Sequence, residues 1–221
     1  DSRQWVACFC ATLITLCQAQ AEIERPDRLP EITPPTGESI QTSIDRGAGF
    51  LKNIQNPNGS WGSARQTKGL NIFAPVPGSH RAFQLAVTSL SIAALIETKG
   101  QDPKYVKTIR DAEDHLIDNL PNLRRATSIA IYNVWAHSYG IQALVRMRDR
   151  AKEDSERIAQ IDKIIRGQIG MLQRYESVDG GWGYYDFRLG TKQPASSSIS
   201  FVNGTALLAM HEAKTRGIES P

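Results

Sequence analysis

Beyond residue 17 the sequence has no cysteine, because Cys8, Cys10 and Cys17 all lie in its first stretch. A chain trimmed past that stretch carries no disulfide, no cysteine nucleophile and no cysteine-ligated metal. Long apolar runs are equally scarce. The one that stands out, Val6–Leu16, covers 11 residues, too few for a permanent bilayer span. Basic residues are not massed in one stripe, and a net charge of +3 is too mild for a nucleic-acid-binding chain. With 221 residues and 40% apolar content there is material for one sizeable core and little room for two.

The apolar run is preceded by Arg3 and followed by Ala19-Gln20-Ala21. A positive flank, a short apolar core and an A-x-A site describe a secretory signal peptide over residues 1–21, cleaved before Glu22. The expected location is therefore secreted or periplasmic. The competing interpretation is a buried core helix, which Pro26, Pro30, Pro34 and Pro35 leave without an anchor. Leu16-Cys17 resembles a lipoprotein site in which leucine replaces the usual small residue. Residues 22–37 read as a proline-rich linker and 38–221 as the folded domain. The chain opens on Asp1 rather than methionine, and it is expected to be part of a longer reading frame.

Past the linker the periodicity predicts six helices and no strand. The first runs from about Glu38 to Gln55 on an apolar face of Ile40, Ile44, Ala48, Leu51 and Ile54. The second covers His80–Lys99, and the third starts at Asp102-Pro103 and is stopped by Pro121. The fourth spans Ile129–Ala151, the fifth runs from Asp154 or Ser155 to Gln173, and the sixth from Ser200 to Thr215. Even-numbered helices are apolar around most of their circumference and odd-numbered ones are charged, a pattern of inner and outer helices. The inner strings SLSIAALIE (89–97), SYGIQALVR (138–146) and GTALLAMHE (204–212) align without gaps at offsets of 49 and 66 residues. Two-helix units with variable loops produce such a pattern. Ala93, Ser138 and Gly140 are small enough to bring inner helices close together.

The stretch RGAGFLKNIQNPNGSW (46–61) resembles the QW repeat of squalene and terpene cyclases, through Arg46, Gly47, Phe50, Leu51, Gln55, Gly59 and Trp61. IGMLQRYESVDGGWGYYD is similar, with Ile169, Gln173, Gly180 and Trp182; the middle hairpin has neither Gln nor Trp. The resemblance covers about Ile40 to Gly217 and implies an all-α fold: an α/α toroid-like arc of three helical hairpins, an incomplete barrel. The family includes squalene-hopene cyclases, oxidosqualene cyclases and protein prenyltransferase β subunits. In it the glutamine caps an outer helix and packs on the tryptophan, which makes Gln55, Gly59, Trp61, Gln173, Gly180 and Trp182 structural positions.

The family's chemistries find no motif here. The string nearest to DxDD is Asp111-Ala112-Glu113-Asp114, expected on a solvated outer face. There is no DDxxD, and the Asp, Cys and His ligand set of the family's zinc prenyltransferases lacks its cysteine here. No cofactor and no metal are expected. Polar and aromatic residues at the starts of the inner helices are the ligand-binding candidates: His80, Arg81, Tyr132 and Trp135, with Gln84, Asn133, Ser198, Ser200 and Asn203 nearby. Tyr184 and Asp186 join them from GGWGYYDFRLG (180–190), which is either a sugar- or isoprenoid-binding segment or a glycine-hinged loop. His137 is the acid–base candidate by its intrinsic pKa, or else a packing residue.

The resemblance thus implies a terpene cyclase/prenyltransferase-like repeat protein that binds an isoprenoid, another apolar ligand or a protein partner without catalysis. The alternative is a squalene cyclase-like enzyme whose acid motif lies beyond this sequence. A polysaccharide-active toroid is a third reading, but it needs paired carboxylates, and Glu97 and Asp149 sit at the far ends of their helices. Self-association is expected if the inner-helix edges stay open.

Overall fold

The computed structural model describes residues 33–64, 80–125, 130–186 and 198–219. The expected signal peptide, and the linker up to residue 32, lie outside them. The chain divides into two units, 1–40 and 41–221. In the first, the described residues begin a helix. Thr36 Oγ1 accepts from Ser39 N at 3.2 Å, which satisfies one amide that a helix start leaves unpaired, and Ser39 Oγ donates back to Thr36 O at 2.9 Å.

The described residues form six α-helices: α1 (Gly37–Asn53), α2 (Arg81–Lys99), α3 (Val106–Asn119), α4 (Asn133–Ala151), α5 (Ser155–Tyr175) and α6 (Ser200–Lys214). Among the described residues there is no strand, only an isolated bridge between Ala130 and Tyr185. The helix signals are chemical. Asp102 accepts from Lys104 N beside Pro103, opening a 3-10 turn that leads into α3. Asp154 accepts from Arg157 N to start α5. Pro121 lies in the 3-10 turn, Leu120–Asn122, that ends α3. None of the described helices is long and apolar enough to cross a membrane.

Within residues 41–221, α4 packs against α2, α5 and α6, and α3 packs against α2. The helices divide only in part as their composition predicts, since α6, expected to be enclosed, buries a single stripe of Val202, Ala206, Ala209 and Ala213. α3 buries one stripe, with Ile109, Ala112 and Leu116 fully enclosed, while α4 buries residues around most of its circumference. On α1 only Ala48 is buried, and Phe50 and Ile54 remain exposed.

α2, α4 and α6 line up level by level. Arg146 of α4 donates to Glu97 of α2 at 2.8 Å and to Glu212 of α6 at 2.7 and 3.3 Å. The sequence separations of these pairs are 49 and 66 residues, the offsets that align the three inner strings. Near the other ends, Phe83 meets Tyr132 with ring centroids 4.8 Å apart, and Trp135 meets Phe201 at 5.6 Å. These pairs keep the same offsets, so α2, α4 and α6 run parallel and in register. Gly140 does not serve inner-helix contact as expected. A Cβ there would stand 2.5 Å from Leu120 Cδ2, so the glycine admits the 3-10 turn after α3.

The two tryptophan turns share one construction. Trp61 Nε1 donates to Leu51 O and Trp182 Nε1 to Leu172 O, each at 2.8 Å and ten residues back. Asn56 N bonds Ser60 O in the first turn, and Ser177 N bonds Gly181 O in the second. Gly59 and Gly180 adopt φ of 84° and 83°, a region open to glycine at no steric cost. The tryptophan amides then reach the inner helices, Trp61 N to Thr88 Oγ1 and Trp182 N to Asn203 Oδ1. Gln55 Nε2 donates to Gly59 O at 3.0 Å and to Thr108 O of α3 at 2.8 Å. In the second turn the residue four before the glycine is Glu176; Gln173, the expected counterpart of Gln55, stands three residues earlier, inside the last turn of α5.

Candidate functional site

The segment after Trp182 is tied across the starts of two inner helices. Ile131 N donates to Tyr184 O and Ile199 N to Trp182 O, each at 3.0 Å. This fixes Tyr184 and Tyr185 beside the first turn of α4. Tyr132 then lies within ring contact of Phe83, Tyr184 and Tyr185, at 4.8, 6.2 and 5.4 Å. Trp135 lies nearly parallel to Tyr139 (interplanar angle 12°) and to Phe201 (16°), and 6.4 Å from Tyr184. The result is a continuous aromatic surface from α2 through α4 to α6. Trp135, Tyr139 and Tyr184 are half-buried and Phe201 is exposed, so the surface can be reached from solvent.

Two of its polar groups are bonded to each other. Tyr132 Oη donates to Tyr185 Oη at 2.9 Å. Burial, reinforced by that bond, raises the Tyr132 phenol far above its ordinary pKa, which keeps it a neutral donor. Asp186 is buried and paired with Arg125 at 3.5 Å. The N-cap residues of α2, α4 and α6, namely His80, Tyr132 and Ile199, make no side-chain cap, whereas the outer helix α5 is capped by Asp154.

Of the candidates read from sequence, Tyr132, Trp135 and Tyr184 are brought together. His80 touches the edge of the group through Phe83, at 6.2 Å. Arg81 turns elsewhere and reaches Asn119 Oδ1 at the end of α3, at 3.5 Å. Phe83, Tyr139, Tyr185 and Phe201 belong to the surface and escaped sequence reasoning. The alignment offsets held the signal for two of them, since they map Phe83 onto Tyr132 and Trp135 onto Phe201.

His137 is not an available acid or base. It is fully buried, with Nδ1 2.7 Å from Gln168 Oε1 and Nε2 3.2 Å from Asn133 Nδ2. One neutral tautomer satisfies both contacts: Nδ1–H donates to Gln168 and Nε2 accepts from Asn133. Burial is the main cause that brings its pKa down to about 4, so the imidazole is an uncharged packing group near neutrality.

The DAED string also departs from expectation. Asp114 is exposed, but Glu113 is 7% exposed and turns inward to Arg150 at 3.1 Å and Arg157 at 3.7 Å. Desolvation raises its pKa against the pull of Arg150. It lines a pocket of about 460 Å³ with Arg110, Asp114, Arg150, Asp154 and Arg157. The charged walls of that pocket suit no apolar substrate, so alkene protonation has no seat there. Among the described residues no group of three or more His, Cys, Asp or Glu is placed to hold a metal.

No family model, curated protein or solved structure matches the chain.

Proposed function

We propose that the chain is an α/α repeat domain of three outer–inner hairpins, of the squalene cyclase and prenyltransferase kind, that binds an isoprenoid-class apolar ligand without transforming it. The ligand lies on the aromatic surface at the starts of α2, α4 and α6. The observation that carries this reading is the open stack of Tyr139, Trp135 and Phe201, with interplanar angles of 12° and 16°. Flat, accessible aromatic faces supply a large area to an apolar chain. The repeat part of the reading is supported by the shared offsets of the ion pairs and ring pairs and by the two tryptophan turns.

Titration with farnesol, read by indole fluorescence, tests it. Saturable binding is expected, weakened at least ~10-fold, or about 1.4 kcal/mol, by Trp135→Ala. A soluble glucan oligosaccharide should give no response. Binding of the oligosaccharide, or farnesol binding indifferent to Trp135→Ala, would overturn the ligand class. Conversion of farnesyl diphosphate or squalene by the purified chain would overturn the non-catalytic role.

A further inference from the structure

The aromatic surface is one end of a longer strip. On α4, Trp135, Tyr139, Gln142 and Arg146 recur at spacings of three and four and so share one face, which runs for about three helical turns, or ~16 Å. The neighbouring helices flank it with apolar side chains. Leu90 of α2 stands at the level of Tyr139 and is 47% exposed; Leu208 of α6 stands at the level of Gln142 and is 49% exposed. At its far end the strip stops at the ion row, where Arg146 binds both Glu97 and Glu212. Thr205, the polar residue of α6 at the level of Tyr139, turns its hydroxyl back to Phe201 O at 2.9 Å. Gln142 differs. Its main-chain carbonyl accepts from Arg146 Nη1 at 2.8 Å, but its half-buried side-chain amide bonds nothing among the described residues. The strip therefore ends in one free amide and then in paired charge.

We propose that Gln142 selects the ligand's head group. The site takes a neutral, hydroxyl-ended isoprenoid laid along α4, with its tail on Trp135 and Phe201 and its hydroxyl exchanging hydrogen bonds with the Gln142 amide. This inference rests on the ligand reading above and narrows it. A pure hydrocarbon covering the strip would bury that amide unpaired, a cost that a hydroxyl removes. A diphosphate in the same place would face two carboxylates that already share the one guanidinium of the row. Like charge at that end disfavours it.

Binding of farnesol, farnesyl diphosphate and the hydrocarbon farnesene to the full chain, read by indole fluorescence, is the test. Wild type is expected to bind farnesol at least ~10-fold more tightly than the diphosphate. Gln142→Leu should weaken farnesol ~5-fold and leave farnesene no weaker, since only the alcohol loses a hydrogen bond. Leu208→Ser, at the same level, should weaken both ligands alike. Circular dichroism checks the fold of each variant, and Gln142→Met repeats the substitution should leucine disturb the helix. Equal losses of farnesol and farnesene in the Gln142 variants, or no loss of either, would overturn the assignment while leaving the ligand reading intact. So would a diphosphate that binds wild type as tightly as farnesol does. If none of the three binds wild type, the ligand reading falls and this inference falls with it.

Discussion

The turn at Asn56–Trp61 and the turn at Ser177–Trp182 have the same backbone bonds, the same positive-φ glycine and the same indole-to-carbonyl bond, yet they are finished differently. The first is sealed. Gln55 reaches across to Thr108 O, and Gly59 abuts the backbone of α3. The second has Glu176 where Gln55 would be, and open space beside Gly180. Between them, the register that Thr88 and Asn203 use to receive a tryptophan amide is held by His137, which turns to Gln168 of α5 instead. The tryptophan turn is thus a local device complete in itself, and the outer helix that follows is what makes its glycine indispensable.

The largest effect should come from the indoles. Trp61→Ala is expected to cost about 3–5 kcal/mol, as truncating a buried tryptophan does. Trp182→Ala should fall near the bottom of that range, because its ring is 7% exposed against 1%. Urea unfolding of both variants decides this; a Trp61→Ala protein as stable as wild type would remove the turn from the account of stability.

The glycines sharpen the contrast. At Gly59 alanine meets both an unfavourable φ and a backbone oxygen, for a loss of about 2–4 kcal/mol. At Gly180 only the φ opposes it, for about 1 kcal/mol. Thermal melts of the pair should differ by several degrees, and equal melts would mean that the seal against α3 carries no weight.

The middle junction responds to pH. His137 titrates at about 4 in the folded chain against 6.5 when unperturbed. Between those values the unfolded chain binds a proton that the folded chain refuses. Stability is therefore fully present above pH 6.5 and declines as pH falls toward 4, by roughly 3 kcal/mol at most. His137→Gln should flatten this part of the stability profile; a slope unchanged by the substitution would contradict the buried neutral imidazole.

The helices were legible because their signals are local: Asp102-Pro103, Asp154, Pro121 and the 3.6-residue apolar period are read within a few positions. The absence of any strand among the described residues was legible for the same reason. The site was legible only in part. Tyr132, Trp135 and Tyr184 stood out as aromatics near helix starts, but Tyr139 and Phe201 join them through helices far apart in sequence, and Tyr185 through the bond from Ile131 N to Tyr184 O. Glu113 misled because a charged string on an amphipathic helix gives no sign that Arg150 and Arg157 wait on its inner side. Gln173 misled because matching a residue type by proximity ignores register; counting back from Gly180 arrives at Glu176.

The Glu97–Arg146–Glu212 row has a consequence of parity. Acid and base alternate along it, so a row with an odd number of inner helices presents acid at both ends and is electrostatically blunt toward itself. A row with an even number presents one acid and one base, and can close on itself or polymerise head to tail. Adding or deleting one hairpin would therefore change which assemblies are allowed, without altering a single apolar contact.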